Sequence, residues 1–230
     1  MNPTARPTLA TDRANPPPHD VASATFGWKL KWFAMVMGVL YSGYQLTNHW
    51  QRQPPTTLPL TWLDQAIPLL EWTVWPYLLL AACTALPLCL SDRGEFKRCL
   101  TALACGYSLN LLIFAAWPTM LPRAGLPDGW HRVVFAWLYW LDSPANCFPS
   151  GHITAPLVAF HALAIEHRKW RGPLWLGFAV LCPTILTTKQ HYVVDLLGGL
   201  ATGAFSIWLS EAWLGRRASV PAATAQPESS

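Results

Sequence analysis

The sequence predicts an all-α polytopic membrane protein: six membrane-crossing helices in a bundle, with a further helix at the extracytoplasmic interface between spans three and four. Three observations predict it. Of the 230 residues, 52% are apolar and only 12% charged, about half the charged share of an ordinary soluble domain. Apolar runs recur along the chain at lengths suited to a hydrocarbon core, which takes roughly 20 helical residues, about 17 to 25. Many of the 14 Trp residues stand near the ends of those runs, as Trp32, Trp72, Trp117 and Trp213 do, where an amphipathic ring favours the headgroup level.

Taken in order, residues 1–26 hold Pro3, Pro7, Pro16, Pro17 and Pro18 with Arg6 and Arg13. They lack the apolar core of a signal peptide and are expected to be a disordered cytoplasmic tail. The membrane domain is expected over 27–214. Its spans are Leu30 to Leu46, Trp72 to Leu90, Leu100 to Trp117, Ile153 to Ile165, Leu174 to Thr187 and Tyr192 to Leu214. In the loop from Pro118 to Pro149, Val133 to Leu141 is too short to cross and reads as the interfacial helix. The fourth and fifth spans reach full length only if Pro149-Ser150-Gly151-His152 and Lys189-Gln190-His191 join a helix. Polar residues persist at membrane depth only against protein or a water-filled cavity, so both short spans point to a recessed site. Pro76, Pro87, Pro156 and Pro183 should kink their helices. Gly198, Gly199 and Gly203 form a small face suited to close helix packing, and His161 reads as an interhelical hydrogen bonder. Residues 215–230, small and polar, are expected to be a second disordered tail.

Cytoplasmic loops carry the excess of Lys and Arg. With the N-terminus inside, 12 of the 16 basic residues fall in the cytoplasm, and Arg52, Arg123, Arg132 and Lys189 fall outside. Both termini are then cytoplasmic, as in a bacterial inner membrane protein with its site on the periplasmic face. The modest charge of +4, scattered in short clusters, gives nucleic-acid binding no support. Five of the six Cys lie in or beside apolar runs, and only Cys147 falls in an outer loop, so neither a disulfide framework nor a zinc site is expected.

Three outer clusters carry the chemistry. Ser150 and Gly151 open the fourth span, where a Ser N-cap and exposed N–H groups form an anion site, beside His152. A plain capped helix would look the same. His191 and Asp195, four apart, share a helix face, so the carboxylate can fix the imidazole's tautomer, the orienting logic of a nucleophilic His. A structural His–Asp pair is the alternative. Arg123 follows the third span, where a guanidinium can hold two phosphate oxygens or anchor the interface.

Together the clusters resemble the type 2 phosphatidic acid phosphatase superfamily, over roughly Leu100 to Leu214. Pro149 to His152 match its second motif, Pro-Ser-Gly-His, in full. His191 and Asp195 match the His-x3-Asp that ends its third motif. The surrounding Lys189-Gln190-His191-Tyr192 and Asp195-Leu196-Leu197-Gly198-Gly199 are similar to the inositol phosphorylceramide synthase branch. The chain departs from the family in its first motif, with Ala116 for the Lys and Ala124 for the Pro. In the third motif it has Thr184 and Ile185 for the Ser-Arg.

The resemblance implies His191 as nucleophile, Asp195 stabilising its imidazolium, and His152 as acid and then base. Ser150, Gly151, Arg123 and Lys189 would hold the phosphate, Lys189 supplying the charge that the third motif lacks. It implies no metal or other cofactor, and a lipid phosphate substrate such as phosphatidic acid, phosphatidylglycerol phosphate or a polyprenyl pyrophosphate. Transfer to an alcohol acceptor instead of water is the alternative within the family. Outside it stand a metal site, for which the outer loops add only Asp128, His131 and Asp142, and a non-enzymatic transporter or scaffold.

Overall fold

The computed structural model describes residues 24–215, so the expected tails fall almost wholly outside the described residues. The described residues are mostly helical, 72% helix against 3% strand. Helix α1 (Phe26–His49) starts on Thr25, whose hydroxyl accepts the Trp28 N–H. A loop with β1 (Thr56–Thr57) leads to the short α2 (Trp62–Ala66), opened by a capping box of Thr61 and Asp64. After a 3-10 turn, α3 (Val74–Ala82) runs on as a 3-10 helix, Cys83–Cys89, around Pro87. The long α4 (Arg93–Ala116) is capped by Asp92. Strand β2 (Thr119–Met120) pairs in parallel with β1, Thr56 opposite Thr119. Then come α5 (His131–Leu141), α6 (Gly151–Glu166), α7 (Arg171–Leu181), α8 (Thr184–Thr187) and α9 (Val193–Leu214).

Among the described residues, three segments are long and apolar enough to cross a membrane: Glu71–Cys89, Arg93–Ala116 and Val193–Leu214, of mean hydropathy 1.4, 1.8 and 1.5. The fold is consistent with an integral membrane protein. Trp32, Trp72, Trp117 and Trp213 are exposed, as rings that meet lipid would be. The expected fifth span is divided: α7 stops at Leu181 and α8 restarts at Thr184, with Pro183 between. A proline lacks the N–H that would continue the ladder. Pro76 falls in the first turn of α3, where no N–H partner is needed.

Helix α6 is the centre of the bundle. Every residue from 153 to 160 is buried, and α4, α7 and α9 all pack on it. A helix apolar on every side belongs inside protein, which lets α6 be short, 16 residues or about 24 Å. On the α9 side the seam carries almost no side chain. A Cβ on Gly199 would lie 2.6 Å from the Ser150 carbonyl oxygen, and one on Gly203 would lie 2.8 Å from Leu157 Cδ2. The small face read from the sequence is thus the α6–α9 contact. Buried polar groups bond between the helices, as they must in an apolar interior: Asn110 Nδ2 of α4 donates to Thr154 Oγ1 of α6 at 3.0 Å, and Thr154 Oγ1 donates to Gly199 O of α9 at 3.3 Å.

The far end of the bundle is also closed by polar side chains. Lys29 Nζ donates to Leu88 O and Leu90 O at 2.7 and 2.6 Å, covering carbonyls freed where the 3-10 helix ends. Glu166 accepts the N–H groups of Ser91 and Asp92 ahead of α4. His161 Nε2 lies 3.2 Å from Glu211 Oε1, the interhelical bond expected of it.

Candidate active site

The two motif segments meet because the Ser150 N–H donates to Asp195 O at 3.0 Å, setting the first turns of α6 and α9 side by side. His191 and Asp195 do touch, though not along one helix face. Helix α9 begins only at Val193, with Tyr192 as its N-cap. Asp195 folds back over this cap, its Oδ2 accepting the Tyr192 N–H at 2.8 Å and facing His191 Nδ1 at 3.2 Å. The polar residues 189–191 therefore form a turn rather than lengthening a helix. That turn is held by Lys189 in the left-handed region, φ 53°, and by the N–H groups of Gln190 and His191, both on Ile185 O.

An ionised carboxylate only accepts, so Nδ1 carries the His191 proton and Nε2 its lone pair. Ser150 Oγ lies 3.2 Å from that Nε2. Ser150 holds the N-cap position of α6, yet its hydroxyl makes no capping bond and donates to the imidazole instead. The amides of Gly151 and His152, the first two of α6, make no hydrogen bond among the described residues. They remain as donors at a helix N-terminus.

His152 stands across from His191, ring centroids 5.7 Å apart. Its Nε2 is 3.0 Å from the Tyr77 hydroxyl and 4.0 Å from Asp142 Oδ2. The other carboxylate oxygen of Asp142 accepts from Tyr44 Oη at 2.5 Å and Asn48 Nδ2 at 3.1 Å. Burial alone would raise the Asp142 carboxyl. His152, the Tyr44 hydroxyl and the Arg123 charge outweigh it and hold the group below the usual carboxylate range. Each histidine thus faces its own carboxylate.

A cavity of about 460 Å³ opens on these groups, lined by Gly151, His152, His191, Arg123 and Asp142 and flanked by Met37, Leu78, Ala81 and Trp137. Its lining combines polar and apolar side chains, as a site for an amphiphile would. Arg123 lines the cavity, but its fork is engaged: Nη2 donates to Asp142 O and Ser143 O at 2.8 and 3.0 Å, and Nη1 to Gln190 Oε1. Its cation lies against the Tyr139 ring, 4.8 Å from the centroid. It brings positive charge to the cavity while tying the end of α5 to the His191 turn.

Lys189 is not brought to that cavity. Its ammonium donates to Asp64 O and Ile67 O at 2.8 and 2.5 Å, because the left-handed turn aims the side chain at the α2 loop. Asp64 in turn accepts the Val193 N–H at 2.7 Å and so caps α9 from another segment. Burial alone would raise the Asp64 carboxyl, but Thr61, the Val193 N–H and the Lys189 charge hold it below its usual value. Tyr77 was missed in the sequence; Asp142 was named only as a possible metal-site partner, and Gln190 only as a neighbour of His191. A tyrosine inside the apolar run from Trp72 to Leu90 was the one available signal, since a buried hydroxyl demands a partner.

Cys147, His191 and Asp195 offer three metal-ligand atoms within 4.8 Å of one another. The Cys147 thiol donates to Pro144 O at 3.3 Å, and burial together with the nearby Asp195 charge pushes it well above its usual pKa. A neutral thiol and an imidazole nitrogen already facing a carboxylate make a poor donor set as they stand. The chain matches no protein-family model and no curated protein.

Proposed function

We propose that this chain is a metal-independent lipid phosphate phosphatase of the type 2 phosphatidic acid phosphatase superfamily, acting through a phosphohistidine. The observation that carries the reading is the pair of imidazoles on one amphiphilic cavity, each backed by a carboxylate. His191 Nε2, bearing the lone pair, attacks phosphorus in line. The bond to the leaving oxygen breaks, and that oxygen takes a proton from His152. Water then attacks the phosphoryl group on Nε2, giving its proton back to His152 as the P–N bond breaks. Asp195 stabilises the imidazolium, the Gly151 and His152 amides receive the phosphoryl oxygens, and Arg123 supplies charge from behind.

In this reading six segments cross the bilayer: α1, α3 with its 3-10 extension, α4, α6, α7 with α8, and α9. Helix α5 lies at the interface over the site, Phe135 and Leu138 inward and Val133 and Trp140 exposed. The basic residues put the far end in the cytoplasm. Transfer to an alcohol is the second reading, favoured by Asp142 Oδ2, an acceptor aimed at the cavity that an alcohol hydroxyl can use.

The test is detergent-purified protein with a panel of labelled lipid phosphates, with and without alcohols, alongside His191→Ala. Phosphate release that survives excess chelator and disappears in the variant is expected. Loss of release in chelator would turn the assignment to the Cys147, His191 and Asp195 grouping. Full activity in the variant would remove the nucleophile, and preferential labelling of an alcohol would establish the transferase.

A further inference from the structure

A second cavity, of about 450 Å³, is lined by residues of α4, α6, α7 and α9 at the end of the bundle away from the histidine pair. His161 lies nine residues along α6 from His152, about 14 Å at the helical rise. Inside the cleft Arg98 is paired with Glu95 at 2.6 Å, and His161 lies 3.2 Å from Glu211. Arg168 and Arg171 add two exposed guanidiniums whose side chains have no hydrogen-bond or ion-pair partner among the described residues. The charge left over is positive. The inner wall is apolar and buried at Ala102, Val158 and Ala162.

We propose that this cavity binds an anionic phospholipid, its phosphate on Arg168 and Arg171 and its acyl chains along the apolar wall. A small free anion would leave the apolar wall wet, and a lipid without net charge would leave the excess cation unmatched. An anionic amphiphile satisfies both ends. Ionisable groups grouped between helices that can cross a membrane mark a binding function rather than filler, and basic clusters beside such helices recruit anionic lipid. Only the leaflet, the cytoplasmic one, rests on the orientation proposed above; the site itself does not depend on the phosphatase reading.

Native mass spectrometry of the full chain, titrated from detergent with dioleoyl phosphatidylglycerol, dioleoyl phosphatidylcholine or inorganic phosphate, tests the proposal without turnover. The expected result is phosphatidylglycerol bound at least about tenfold tighter than phosphatidylcholine. That preference is lost in Arg168→Gln/Arg171→Gln. It is kept in Arg93→Gln, whose guanidinium lies over the Trp28 ring instead, and in His191→Ala. An unchanged preference in the double variant overturns the site, as does an equal loss in Arg93→Gln. Inorganic phosphate binding that needs the same two arginines, without lipid preference, overturns the lipid assignment.

Discussion

Replacing Gly199 by Ala puts one methyl group into the seam that aligns the two histidines. Its Cβ would lie 2.6 Å from Ser150 O and 2.8 Å from Ile153 Cβ, against 3.4 Å where ordinary contact begins. The seam must open by up to 0.8 Å there, the difference of those two distances, and neither a backbone oxygen nor a branched Cβ yields alone. Taken up at the catalytic end, that shift stretches the 3.2 Å contact of Ser150 Oγ with His191 Nε2 to about 4 Å, beyond hydrogen bonding. Overpacking costs about 1–3 kcal/mol, and the better helix propensity of Ala returns about 1 kcal/mol. Stability therefore falls only modestly, while a misplacement approaching 1 Å lowers the rate about 100-fold. Phosphate release from a lipid phosphate, measured beside thermal unfolding in detergent, separates the two effects. Gly203→Ala is the comparison, since its added methyl meets chiefly the mobile end of Leu157 and should cost stability with little activity. Gly38→Ala, inside α1 with nothing within 4 Å, should raise stability by about 1 kcal/mol and leave the rate unchanged. A Gly199→Ala protein at the wild-type rate, or a Gly203→Ala protein equally impaired, would refute the reasoning.

Asp195→Asn replaces the acceptor at His191 Nδ1 with a group that no longer dictates the tautomer, and kcat should drop about 10³- to 10⁴-fold in single-turnover assays, with the fold intact by circular dichroism. Asp142→Asn removes the negative charge 4.0 Å from His152 Nε2. Asp142 is held ionised at neutral pH and can stabilise positive charge on the acid, so its loss should lower kcat about tenfold with KM little changed. An unchanged kcat would detach Asp142 from His152. Lys189→Met breaks two charge-assisted bonds to carbonyls of the α2 loop. It should cost about 2 kcal/mol of stability with KM changed less than about twofold; a large rise in KM would restore Lys189 to phosphate binding.

What the sequence reveals is whatever depends on contiguous residues. The apolar runs locate α3, α4 and α9, the Gly198 to Gly203 pattern locates the α6–α9 contact, and Pro-Ser-Gly-His with His-x3-Asp locates the histidines. The remainder hangs on contacts between distant segments. Asp142 meets Tyr44 and Asn48 of α1 across more than ninety residues, which no spacing announces. Lys189 misleads because its backbone enters the left-handed region, sending the side chain to a loop 125 residues away in sequence. The division of the expected fifth span at Pro183 was foreshadowed by the proline, but a kink and a break carry the same local signature.

The burial of α6 has a consequence for the membrane around the protein. When acyl chains lengthen or shorten, the elastic strain of a mismatched bilayer falls on surfaces that lipid touches, in the proposed arrangement the exposed faces of α4, α7 and α9. The helix carrying His152 is sheathed by those neighbours and feels the change only through them. In the proposed orientation the outer helices can tilt to follow bilayer thickness, while the glycine seam holds the two imidazoles at one spacing.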